Sequence, residues 1–258
     1  MTTTLSSYLS IANDLTKWRT ITAKSPAVAL QTTYFKANIG KVRTIDDLMK
    51  NTRLFNFAMT AFGLSDKIGA KALMRKVLEQ GATNSRALAN TLNDPRILAF
   101  ARTFDFATHG QDTTARPEVV ADVVSKYVEQ TLETNQKNQN PGVELAMYFR
   151  RQAPNVSNMF GVLADKKLLT VIQTALGISP LTSAQNIDVQ ARLLSAKLKL
   201  SDFQDPKKLN AFIARFGAMY DSSAMSSDAN GAAESIAPGA IGMSAQLLLS
   251  LQSFRNRG

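Results

Sequence analysis

Cysteine is absent from the 258 residues and histidine occurs once. The first absence excludes disulfide staples, thiolate nucleophiles and thiolate metal sites together. The second removes the base on which most nucleophilic triads depend, since His109 stands by itself in a Gly- and Asp-containing loop where an exposed position is expected. No GxSxG, HExxH, GxGxxG or phosphate-binding glycine loop occurs, and the only adjacent carboxylates, Asp46 and Asp47, sit at a helix start where capping is their expected work. No catalytic, cofactor-binding or metal-ligating set is therefore assigned, and the chain is read as a non-enzyme. Long apolar runs are missing too: the longest run of Leu, Ile or Val is Leu247, Leu248 and Leu249, far short of the roughly 20 apolar residues that span a bilayer. Met1 to Ser10 lacks a basic segment, and Asp14, Lys17 and Arg19 follow at once, so no Sec signal peptide is expected.

What is present is a 45% hydrophobic composition with 13 Gly and 8 Pro, that of a globular protein with one or two cores. Alternating Val, Ile and Thr runs are scarce, whereas helical spacing and helix punctuation recur, which predicts an all-α fold. Leu5, Tyr8, Leu9, Ala12 and Leu15 predict a first helix, with Trp18 near its end and partly buried. Ser25-Pro26 starts a second, expected to reach Ile39. Thr44 with Asp47 resembles a capping box, and the stripe Leu54, Phe55, Ala58, Met59 and Phe62 closes at Gly63. A helix over residues 67–80 should stop at Gly81, and Asp94-Pro95, Asn140-Pro141 and Asp205-Pro206 each mark a helix start. Pro117 should open a long helix to about Lys137, after a weakly apolar separator at residues 107–117.

The chain also matches itself at a shift of 114 residues. Tyr34-Phe35-Lys36 meets Tyr148-Phe149-Arg150, Asn51 meets Asp165, Arg53 meets Lys167, and Thr60 to Leu64 meets Thr174 to Ile178. After a small deletion Asp94-Pro95-Arg96 meets Asp205-Pro206-Lys207. Core and capping roles are expected for Phe35, Phe62, Gly63, Phe100, Phe149, Gly177 and Phe212, while capping alone would not require the basic residues at Lys36/Arg150 and Arg53/Lys167. The expected organisation is a duplicated multi-helix unit forming a pseudo-symmetric domain, with residues 1–110 and 111–221 as its halves. A flexible linker at 222–239, rich in Ser, Ala and Gly, leads to a short amphipathic helix at 240–258. On that helix Leu247, Leu248, Leu251 and Phe254 share one side and are the candidate partner-binding residues.

Thirty Lys and Arg against 20 Asp and Glu give a net charge of +10, but no basic run exceeds two residues and the excess is spread along the chain. That dispersion argues against a nucleic-acid arm or stripe and for a solvated basic surface. A cytoplasmic basic scaffold that binds an acidic protein or nucleic acid is the alternative reading.

The segments IDDLMKNTRLFNFAMTAFGLSDK, LMRKVLEQG and ALANTLNDPRILAFARTFDF resemble the bacterial domain of unknown function 1217, a family common in alphaproteobacteria whose genes often lie in flagellar clusters. Asp47-Leu48, Ala61-Phe62-Gly63-Leu64, Leu78-Glu79-Gln80-Gly81 and Asp94-Pro95-Arg96 carry the resemblance, which extends more loosely to Tyr148-Phe149-Arg150 and Asp205-Pro206. The resemblance implies a non-enzymatic, flagellum-associated protein that works through protein–protein contacts as an assembly, accessory or axial-associated component. Its place would be the cytoplasm or the flagellum, reached by type III export.

Overall fold

A computed structural model describes residues 3–235, with side chains through residue 224. Every regular element among them is helical. Caps explain most of the starts. Thr3 accepts from the Ser6 amide to open α1 (Thr4–Ala12), and Asp14 accepts from the Lys17 amide to open α2 (Leu15–Lys24). The apolar spacing from Leu5 to Leu15 predicts one helix, but the chain breaks at Asn13-Asp14, because a carboxylate able to cap outcompetes continuation. Trp18 thus lies inside α2, half-buried, rather than at the end of the first helix.

Next come α3 (Pro26–Ile39), α4 (Ile45–Lys50) with both halves of the Thr44/Asp47 capping box formed, and α5 (Thr52–Ala61), capped by Asn51. The helix expected from residue 67 begins later: Ser65–Lys67 forms a 3-10 turn and α6 spans Lys71–Gln80, the intervening Gly69 being a poor helix former. After α7 (Leu88–Thr91) come α8 (Pro95–Thr103) and α9 (Phe106–His109). The expected separator therefore holds structure. A 3-10 turn follows α9, and Thr113 and Thr114 are fully buried, the Thr114 hydroxyl donating to the Val42 carbonyl at 2.6 Å.

The second half contains α10 (Pro117–Lys137), α11 (Pro141–Gln152), α12 (Met159–Ala164), α13 (Lys166–Leu176), α14 (Ile187–Lys197) and α15 (Pro206–Ser235). Residues 222–235 of the expected linker carry helical backbone, and the rest of it, with the expected terminal helix, lies outside the described residues.

Two apolar cores form. The first centres on Phe35, Leu48, Phe55, Met59, Phe62 and Phe100, with Phe35, Phe57 and Tyr127 stacked at centroid spacings of 4.3 and 3.9 Å. The second centres on Phe149, Val171, Ile172, Phe203, Ile213 and Phe216, with Phe149 against Phe203 and Phe212. Helix α10 serves both, giving Val119 and Val123 to the first and Leu132 to the second. Tyr8 and Ile11 of α1 also belong to the second core, so the cores do not divide the chain at residue 110. Among the described residues, those up to Tyr220 form one compact unit, and a second begins at Asp221.

Candidate functional site

The most concentrated polar chemistry lies where α5, α8, α10, α11 and α13 meet. Its centre is Arg96, in the first turn of α8. Asp94, the N-cap of that helix, accepts from the Arg96 amide and from the guanidinium Nε and Nη2, at 3.0 and 2.8 Å. Nη1 donates to the Gly63 carbonyl at 2.8 Å, and the buried Asp165 carboxylate lies 3.5 Å from Nε. Gly63 holds a positive φ of 71°, and a Cβ there would stand 3.0 Å from the Gln130 side-chain oxygen. The glycine that ends α5 therefore also lets its backbone approach the cluster.

Asp165 works twice. One oxygen caps α13 through the Lys167 and Leu168 amides, and the other accepts the Tyr148 hydroxyl proton. Below the Tyr148 ring, Arg151 reaches Glu133 through two nitrogens at 2.7 Å and Gln130 at 2.7 Å. Lys167 pairs with Glu144 at 2.6 Å while its ammonium sits 4.9 Å from the Tyr148 ring centroid. Asp94, Asp165, Glu133 and Glu144 thus face Arg96, Arg151 and Lys167, with all four carboxylates buried.

The electrostatics follow from burial and pairing. Burial and then the Asp165 charge push the Tyr148 phenol well above its ordinary range. Burial opposes the charge on Arg96 and Arg151, but Asp94 and Glu133 respectively overcome it and hold both guanidinium groups above their usual values. Chemically, the cluster offers a locked phenol and saturated guanidinium groups. Such an arrangement orients helices, and each of its polar groups already has a partner.

A related contact appears 114 residues earlier. The Asn51 side chain, which caps α5, donates to the Tyr34 hydroxyl at 3.2 Å, and Arg53 lies 3.8 Å from the Tyr34 ring centroid. The aligned pair Arg53/Lys167 is therefore a pair of cations resting on tyrosine faces, a role that helix capping did not explain. The sequence signal was the constant spacing of tyrosine, cap and basic residue. Nothing in the spacing indicated that Arg96 and Arg151 would join the second set.

The other residues singled out by sequence stand apart. His109 is the exposed last residue of α9. Asp46 pairs with Arg75, and Asp47 completes the capping box, whose Thr44 hydrogen bond holds its carboxyl below the usual range. Lys36 is exposed. Among the described residues no three His, Asp or Glu side chains converge as a metal site, and no helix is long and apolar enough to cross a membrane. Leu247, Leu248, Leu251 and Phe254 lie outside the described residues. A surface feature that sequence reading did not single out is the stretch from the 3-10 turn Pro180–Ala184 into α14, where Leu181 is 83% exposed and Ile187 and Val189 are also exposed.

These features define an all-α protein whose two apolar cores are joined by a long shared helix and a buried ion-pair cluster. The chain belongs to the family described as Protein of unknown function (DUF1217), whose profile matches residues 61–209. It is similar to the crystal structure of protein AGR_C_984 from Agrobacterium tumefaciens, a structural genomics target, with 39% identity and a TM-score of 0.76 over 84% of this chain and 93% of that one. No match was found among curated proteins.

Proposed function

We propose that this protein is a non-enzymatic, flagellum-associated component that works through protein–protein contacts. The single observation that carries the contact reading is the apolar stretch at Leu181, Ile187 and Val189. Large aliphatic side chains standing in water within one short segment gain free energy when a partner covers them. The buried acidic and basic groups support it, because they are spent on one another. The flagellar context rests on the family resemblance and its gene neighbourhoods. The duplicated helical unit, a cytoplasmic or type III-exported location, and partner binding by the tail residues Leu247, Leu248, Leu251 and Phe254 belong to the same proposal.

The test is an immunoblot of cytoplasm, culture supernatant and purified hook–basal bodies from the native host, beside a strain with type III export disabled. The expected result is protein in the hook–basal body or supernatant fraction that disappears from it when export is blocked. Co-sedimentation with purified hook–basal bodies should also be lost in Leu181→Glu/Ile187→Glu with Tm unchanged. Retention in the cytoplasm of both strains, with binding that weakens steeply as salt rises, would replace this reading with the basic scaffold.

A further inference from the structure

A second polar site lies between α1–α2 and α10–α11, and its groups are not all spent. A half-open cavity of about 180 Å³ is walled on its apolar side by Ala12, Leu15 and Met147. Its polar side carries Arg19, Arg150 and Arg151 with Glu129 and Glu133. Two of these charges cancel in place: Arg19 holds Glu129 at 2.7 Å, and Arg151 holds Glu133. Arg150 is left over. It is half-buried and forms no ion pair among the described residues.

Arg19 is committed to Glu129 through Nη2, and its Nε, on the same edge, is buried. Behind the cavity wall, the buried Tyr8 hydroxyl lies within reach of the Arg150 side chain. A half-buried guanidinium without a carboxylate gains free energy when an anion reaches it, so the site is short of an acceptor. The surplus of one positive charge selects a monoanion. A guanidinium fork matches the planar pair of oxygens of a carboxylate, and the aliphatic wall selects a short apolar tail behind it.

We propose that this cavity binds a carboxylate with a short branched or linear apolar tail, with Arg150 as its charge partner. Size agrees: a cavity of about 150 Å³ accommodates benzene, so this volume takes an aliphatic acid of comparable bulk. Two sources present this chemistry, a free aliphatic acid and the terminal carboxylate of a peptide ending in an aliphatic residue. The half-open mouth admits either.

The experiment is isothermal titration of the full chain with sodium isovalerate, N-acetyl-leucine and uncharged isovaleramide. Saturable binding of at least one acid, with none of the amide, is expected. Tighter binding of N-acetyl-leucine assigns the site to a chain end, and tighter binding of isovalerate assigns it to a free acid. In Arg150→Gln the affinity should fall roughly tenfold or more, the loss typical of a charge-assisted hydrogen bond. Leu15→Phe, which fills the cavity without touching a charge, should weaken binding as well. That second variant keeps the test valid if Arg150→Gln folds poorly, as judged by circular dichroism. Equal binding of acid and amide, undiminished binding in both folded variants, or no saturable binding of either acid would overturn the proposal.

Discussion

Tyr148 shows how one side chain ties several elements together: its hydroxyl feeds Asp165, its ring carries Lys167 and lies 5.3 Å from the Arg151 guanidinium, and it is buried beside Gly63. The raised pKa of this phenol has a defined sign for stability. Its ordinary value is 10.0, and in the folded chain burial and Asp165 raise it, so above pH 10 the unfolded state releases a proton that the folded state keeps. The stabilisation is complete below pH 10 and is lost as pH rises toward the folded value, by about 1.4 kcal/mol per pH unit. Urea titrations at pH 9, 10 and 11 should show this decline, and Tyr148→Phe should flatten it by one proton's worth while Tyr8 and Tyr127, also raised by burial, keep theirs. An unchanged slope in the variant would mean that Tyr148 ionises freely. Arg96→Met is the harsher change, because it leaves the Asp94 and Asp165 carboxylates buried and unpaired. A loss of about 3–5 kcal/mol is expected in urea unfolding at pH 7.

Helix starts here are set by caps or by proline in the first turn, and both signals are local, which is why the starts at Pro26, Ile45, Pro95, Pro117, Pro141 and Pro206 were legible in the sequence. The break between α1 and α2 was not. Its apolar spacing continues through Asn13-Asp14, and only the competition between a cap and continuation decides it. The ion-pair cluster was illegible for another reason: Arg96 meets Gly63 and Asp165 across 33 and 69 residues, on elements whose approach no local pattern encodes. Glycines at two aligned helix ends separate these local and tertiary contributions. Gly63 and Gly177 hold φ of 71° and 64°, but a Cβ at Gly177 meets nothing within 4 Å, whereas at Gly63 it meets the Gln130 oxygen at 3.0 Å. Gly177→Ala should therefore cost only the left-handed backbone penalty, about 1–2 kcal/mol. Gly63→Ala should cost that plus an overpacking penalty of roughly 1–3 kcal/mol, measured as a shift in urea midpoint at constant slope.

At the scale of the whole molecule, the sequence repeat and the packing divide the chain differently. Matching at a shift of 114 residues suggests halves that meet near residue 110. Packing ignores that boundary. The α1 side chains Tyr8 and Ile11, buried to 2% and 4% exposure, complete the core built by residues 132–216, and α10 supplies side chains to both cores. Each such buried side chain contributes about 1.5–3 kcal/mol, so removing two takes a large share of the 5–15 kcal/mol that a domain typically possesses. Residues 111–258 expressed alone should therefore lack a cooperative thermal transition and bind a hydrophobic dye, although they contain the whole second half of the sequence match. The first-half core loses Val119 and Val123 in the complementary piece, so residues 1–110 alone should behave in the same way. Mixing the two fragments should restore a single transition, because α10 and the Arg96–Asp165 contact then link the cores again. Independent, cooperative melting of each fragment would instead show that the duplicated unit folds by itself, and that the exchange of α1 and α10 across the boundary adds little to stability.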